Sequence, residues 1–217
     1  MLEIRVKSGA TPLKNLPLQR GLMTLFARSA AMGVLSSERV TMIDAASLRR
    51  LIDALQHWNL LRSASVDLAP LLLSGPAALD PKTADRMTRE VAKLVDTLDD
   101  SPSPATEWAT MRETIGDELL ARLVGVSEVS LRRYAAGSRN TPQRVAERLH
   151  WLAMVVADLA GAYNTFGIRR WFERPRMQLR GESPRHALAE DWGVDDESAG
   201  KVRALAAALS GAQPLAA

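Results

Sequence analysis

Apolar and small residues recur along this chain at the three-and-four spacing of helices that bury one face. Leu18, Leu22, Leu25, Phe26 and Ser29 make the first stripe, Leu48, Leu51, Ile52 and Leu55 the second, and Met87, Val91, Leu94, Val95 and Leu98 the third. Turn signals at Ser36-Ser37 divide the first two, and Ala69 to Pro76, rich in breakers around an exposed-looking Leu71-Leu72-Leu73 run, divides the last two. The pattern predicts an N-terminal helical bundle over residues 1–98, with room for a short strand at Leu2–Val6. Asp99 to Thr106 carries Pro102 and Pro104 among Ser and Asp, and reads as a stiff, solvated linker.

Beyond the linker the pattern changes. Glu107–Ile115 is a supporting helix, followed by two short amphipathic runs in which Leu120, Val124, Val126, Leu131 and Tyr134 share one buried face. Ala121 is small where two helices would cross, and Gly125 sits where the chain reverses and positive φ is favoured. Ser127 is the N-cap of the second run, with Glu128 at the positive end of its dipole. Helix, tight turn and helix make a helix-turn-helix, assigned with its support to a DNA-binding domain at 107–150. The outward set on the second helix is then Ser127, Glu128, Val129, Ser130, Arg132 and Arg133, able to meet base edges and phosphates. Arg139, Asn140, Thr141 and Arg144 follow as backbone-phosphate contacts.

Thr141-Pro142 opens a long helix to about Phe166, with Thr141 as cap and Val145, Leu149, Leu152, Val155, Val156, Leu159 and Tyr163 on its buried face. Pro175, Gly181 and Pro184 break the next stretch into short pieces. A last helix lies within Val194–Ser210, where Val202, Leu205 and Leu209 share a face, and Gly211–Ala217 reads as a frayed end. The expectation is an all-α chain with a C-terminal domain at 151–217.

Charge sharpens this picture. The net charge of +3 is small, but Ser127–Arg148 holds five Arg and two Glu, and Phe166–Arg185 six Arg and two Glu. Asp96–Glu118 carries seven acids against one Arg, and Glu190–Glu197 five acids and no base. Two basic stretches between acidic ones suit an anionic ligand on one face and another partner elsewhere. The chain has no cysteine, which excludes disulfides and thiolate metal sites and fits a reducing cytoplasm. No segment has signal-peptide or membrane-span character, so a soluble, cytoplasmic protein without a membrane partner is expected.

Candidate chemistry is sparse. His57, His150 and His186 lie far apart without metal-ligand spacing, and no phosphate-cradling glycine loop or nucleophile elbow is present. Asp195, Asp196 and Glu197 suit a helix start better than a metal. The reading is no catalytic residue, no metal, no cofactor, and no enzyme.

Arg169, Arg170, Arg174, Arg176, Arg180 and Arg185 interleave with Trp171 and Phe172, residue types enriched at interface hot spots. The skeleton Trp171, Pro175, Leu179, Gly181, Pro184, behind a helix-turn-helix and a long helix, resembles the Xre–MbcA–ParS antitoxin family over Arg112–Leu209, close to half of the chain. That resemblance implies a type II antitoxin that represses its own promoter and neutralises a cognate toxin through its C-terminal domain. It implies a toxin of the RES fold acting on NAD or transferring ADP-ribose, while related helix-turn-helix antitoxins pair with PIN-type ribonucleases. Trp171, Arg174, Arg176 and Arg180, with Val202, Leu205 and Leu209, are the toxin-binding candidates. The long N-terminal segment and the dense arginines depart from the usual member. That segment is the expected homodimer interface, since symmetric pairing onto two half-sites suits a single small helix-turn-helix. A transcriptional repressor without a toxin, and a scaffold with a purely structural helix-turn-helix, are the competing readings.

Overall fold

The computed structural model describes residues 15–35, 43–61, 65–188 and 191–210, which hold eleven α-helices and no strand. The fold is all-α. The expected strand at Leu2–Val6, the turn at Ser36-Ser37 and the C-terminal end after Ser210 lie outside the described residues. The described residues divide into two compact units, one built on those within 102–210 with 31–33, the other on those from 34 to 101 with the helix before them.

In the N-terminal unit, α1 (Leu16–Ala31), α2 (Ala45–His57), α3 (Ala69–Ser74) and α4 (Pro81–Asp99) bury the stripes that the periodicity marks. Leu18, Leu22, Leu25 and Phe26 on α1, and Met87, Val91, Leu94 and Leu98 on α4, are fully buried, while Val95 is half-buried. Gly21 lets these helices approach closely: a Cβ there would stand 3.2 Å from Val91 Cγ1. Asp44 and Ser47 form a reciprocal capping box at the start of α2, and the backbone N–H of Ser47 is the main cause holding the Asp44 carboxyl below its usual range. Asp80 caps α4 ahead of Pro81. The Leu71–Leu73 run is not uniformly exposed: it is helical, with Leu71 buried and Leu73 76% exposed. Arg49 donates through Nε and Nη2 to the Leu72 carbonyl at 3.1 and 2.7 Å, satisfying an orphan acceptor at the end of α3.

The connection to the second unit is shorter than the expected 99–106 linker. Asp99 still belongs to α4, and α5 (Pro104–Ile115) starts at a proline, which is suited to a first helical turn because its missing N–H needs no partner there. Thr106 and Glu107 are accordingly buried helix residues. Then follow α6 (Asp117–Val124), α7 (Glu128–Ala135), α8 (Gln143–Ala160), α9 (Thr165–Glu173), a 3-10 turn at Met177–Leu179, α10 (Pro184–Ala187) and α11 (Glu197–Ser210).

The axis of this unit is α8, which contacts α5, α6, α9 and α11 and is buried nearly all round from Arg148 to Leu159. The long helix expected to reach Phe166 breaks at Gly161–Asn164, because Asn164 accepts from the Gly167 N–H at 2.8 Å and caps a separate helix. Thr141 is not the cap of α8. Its hydroxyl accepts from Trp108 Nε1 at 3.0 Å, and the N-cap position falls on Pro142, which has no side-chain cap bond. Asp158 interrupts the apolar run of α8 and is buried beside Arg203 of α11, 3.3 Å away. His150 is buried with its Nδ1 2.6 Å from Glu107 Oε1 on α5. Among the described residues no single helix is long and apolar enough to cross a membrane.

Candidate nucleic-acid interface

The helix-turn-helix begins with a charge-assisted clasp. Arg112, at the end of α5, donates from Nε and Nη2 to the two carboxyl oxygens of Asp117 at 2.8 and 2.9 Å. Arg132 of α7 stands 3.5 Å from the same carboxylate, so one side chain touches all three helices. The hydrogen bonds from Arg112 hold the Asp117 carboxyl below its usual range, and the same pairing raises Arg112. Gly125 ends α6 at φ 75° and ψ 40°, the left-handed conformation a Cβ disfavours, and Ser127 accepts from the Ser130 N–H at 3.2 Å to start α7. Leu120, Ala121, Leu123, Val124, Leu131 and Tyr134 form the inner face, while Val126 is half-buried rather than fully enclosed. Trp108 stacks on Tyr134 from beneath, ring centres 6.1 Å apart at 22°.

The outer face of α7 carries what the sequence places there. Val129 is 57% exposed, Arg132 and Arg133 are exposed, and Glu128 and Ser130 are half-exposed. The arginines differ in their engagement. Arg132 pairs with Glu128 at 2.9 Å as well as with Asp117, whereas Arg133 has no ion pair among the described residues. Arg139 lies over the Tyr134 ring at 5.6 Å, and Arg144 is held by the Asp191 carboxylate at 2.8 Å. Arg139, Arg144 and the α7 face thus remain at the surface, but only part of that charge is uncommitted.

Two residues that hold this unit together, Arg148 and Trp192, do not stand out in the sequence. Arg148 is 4% exposed and sits between Val145 and Leu149 of the buried stripe. Its guanidinium donates from Nη1 to the Val124 carbonyl at 3.1 Å, from Nε to the Trp192 carbonyl at 2.8 Å, and from Nη2 to that same oxygen. Trp192 lies beneath it, 5.3 Å from guanidinium carbon to ring centre, and returns a hydrogen bond from Nε1 to the Leu123 carbonyl at 2.8 Å. Burial first, and Arg144 second, hold Arg148 below its ordinary value. The carbonyls at the end of α6 are thereby fixed by residues from α8 and from the approach to α11. An arginine inside an apolar stripe is the only signal the chain gives of this.

The Arg-rich segment folds around a core rather than presenting all its anchors. Trp171 is 1% exposed and Val202 0%, which corrects the expectation that both meet a partner. Trp171 packs edge-on against Phe172 at 5.2 Å, and Val202 docks α11 on α8 together with Ala199 and Ala206. Leu205 is half-buried, while Leu209 is 40% exposed. Arg174 and Arg180 are exposed and Arg176 is half-buried. The Trp171–Pro184 skeleton is a core-and-turn pattern: Leu179 and Pro184 are buried, Arg180 and Gly181 both take positive φ, and the Arg176 N–H donates to the Glu182 carbonyl at 2.8 Å. Among the described residues no cluster of His, Asp and Glu has the proximity to hold a metal. No family model, characterised protein or solved structure matches the chain.

Proposed function

We propose that this protein is a binding protein rather than a catalyst: a helix-turn-helix antitoxin that represses its own promoter and neutralises a cognate toxin. The observation that supports it most is the α6–Gly125–α7 geometry, a short capped helix whose exposed outer face bears Val129, Arg132 and Arg133. A helix of this kind seats its N-terminal half in the major groove and contacts phosphates with its flanks. The toxin half of the proposal rests on the resemblance over Arg112–Leu209 and on the exposed Arg174, Arg180 and Leu209. A toxin of the RES type is favoured and a PIN-type ribonuclease is the alternative partner. The repressor is read as a homodimer, with the N-terminal unit as the interface.

Burial of Trp171 and Val202 narrows what a toxin has to grip, and this favours, as a second reading, a transcriptional repressor without a toxin. Two measurements separate the readings. Operator binding is followed by mobility shift with the wild-type chain and the Arg132→Ala/Arg133→Ala variant, whose unchanged binding with intact helicity would remove the DNA assignment. Toxin neutralisation is followed by co-expression with the product of the adjacent gene. Growth rescued by the full chain and by the double variant supports the antitoxin reading, and failure of the full chain to rescue leaves the plain repressor.

A further inference from the structure

Beyond the operator and any toxin, one cleft in the 102–210 unit has unused chemistry. It runs along α9 and is about 180 Å³, lined by Tyr163, Phe166, Gly167, Arg170, Trp171, Arg174 and Arg176. Three arginines line it and no carboxylate does. Glu173, on the same helix, is engaged elsewhere, with Arg185 at 3.6 Å. Arg170, Arg174 and Arg176 have no ion pair among the described residues, in contrast to Arg132 and Arg144.

Two buried donors on this lining lack acceptors. Trp171 is 1% exposed, yet its indole Nε1 has no hydrogen-bond partner among the described residues, and neither has the buried Nε of Arg176, whose guanidinium carbon lies 5.3 Å from the Trp171 ring centre. Buried N–H groups are nearly always satisfied, so a pair of orphans beside a cationic cleft points to an acceptor that arrives from outside. Phe166, 65% exposed, stands at the cleft with Arg170 5.6 Å over its ring, a flat apolar and cationic surface of the kind on which bases stack.

We infer that this cleft binds the phosphoryl group of a nucleotide, with Arg170, Arg174 and Arg176 neutralising the anion, the Trp171 indole donating to it, and the base resting on Phe166. The volume suits a phosphoryl group with its base outside. Guanidinium forks match phosphate oxygens in geometry as well as charge. The nucleotide is either free in solution or part of a strand, since both present the same phosphoryl chemistry.

The test uses the full chain, titrated at low salt with ADP, pyrophosphate, adenosine and a short single-stranded oligonucleotide, and read by calorimetry and by the indole N–H resonance missing from Trp171→Phe. ADP or the oligonucleotide is expected to shift that resonance, with adenosine at least tenfold weaker. Tighter binding of ADP assigns a free nucleotide, and tighter binding of the oligonucleotide assigns a strand. Arg170→Ala/Arg174→Ala, at exposed positions, is expected to weaken binding at least tenfold, and Phe166→Ala is expected to bring ADP down to the affinity of pyrophosphate. No resonance shift with millimolar ADP, pyrophosphate or oligonucleotide overturns the inference, as does adenosine binding as well as ADP, or full affinity in the double variant. Operator affinity of Arg133→Ala, measured in parallel, keeps failure here distinct from failure of the operator reading.

Discussion

The helix-turn-helix and the α9 segment carry similar numbers of arginines and spend them differently. Around α7, Arg132 is tied to Glu128 and Asp117, Arg144 to Asp191, and Arg148 to backbone carbonyls, leaving Arg133 as the least engaged. Along α9, Arg169 is used up on the carbonyls of Thr114 and Glu113 at 2.8 and 2.7 Å, and Arg185 on Glu173. Arg170 and Arg176 are left with aromatic rings for neighbours, and no carboxylate lines the cleft they share with Arg174. Formal charge therefore overstates the anion-binding capacity of the first region relative to the second. Carboxylates placed beside α7 fix its orientation and consume its charge, while their absence along the α9 cleft leaves charge available for a ligand.

Both regions lean on α8, and the largest expected effect comes from cutting that support. Arg148→Ala strands the Val124 and Trp192 carbonyls and should cost about 3–5 kcal/mol, seen as a lower urea midpoint with unchanged slope. A loss within 1 kcal/mol would mean that the carbonyl at the end of α6 does not depend on this residue. Next, Val202→Ala should cost about 2 kcal/mol by emptying the α8–α11 contact, whereas Leu209→Ala should stay within about 0.5 kcal/mol. Equal effects at the two positions would contradict the seating of α11 on α8 through Val202.

The α7 face gives a smaller contrast, in binding rather than folding. Arg133→Ala should weaken operator binding by about 1–3 kcal/mol if the side chain reads a base. Arg132→Ala should cost less than Arg133→Ala, because Arg132 must first leave Glu128 and Asp117. The reverse order, measured by titration at fixed salt, would show that the ion pairs position Arg132 for DNA instead of competing with it.

The smallest effect is electrostatic. The Asp117 carboxyl is held below its unfolded value, so its contribution is fully present above pH about 4 and is lost as pH falls through the folded pKa. Both partners are partly exposed, which limits the contribution to about 1 kcal/mol or less. The stability gap between wild type and Asp117→Asn should be open at pH 7 and narrow as pH falls below about 4. A constant gap would assign the effect to geometry and not to charge.

Local rules make the helix-turn-helix legible in the residues themselves. Gly125 ends α6 because its backbone takes positive φ, Ser127 starts α7 because its hydroxyl reaches the Ser130 N–H, and the apolar stripes declare their faces. Each depends on residues within a turn or two, so linear spacing suffices. The division of α8 from α9 is within reach of the same rules, through Asn164, but the apolar run across it conceals the break.

What the chain alone leaves open is settled by contacts distant in sequence. Val202, Leu205 and Leu209 fit a helical stripe, and so do Ala199, Val202 and Ala206. The second set is buried because small side chains let α11 approach α8 closely, and Arg203 meets Asp158 there. Nothing in the periodicity chooses between two overlapping stripes on one helix. Likewise an arginine codon says only that a guanidinium exists. Whether it meets a carboxylate, as Arg132 does 15 residues from Asp117, or lines an acid-free cleft, as Arg174 does, is decided by which helices the hydrophobic core brings together.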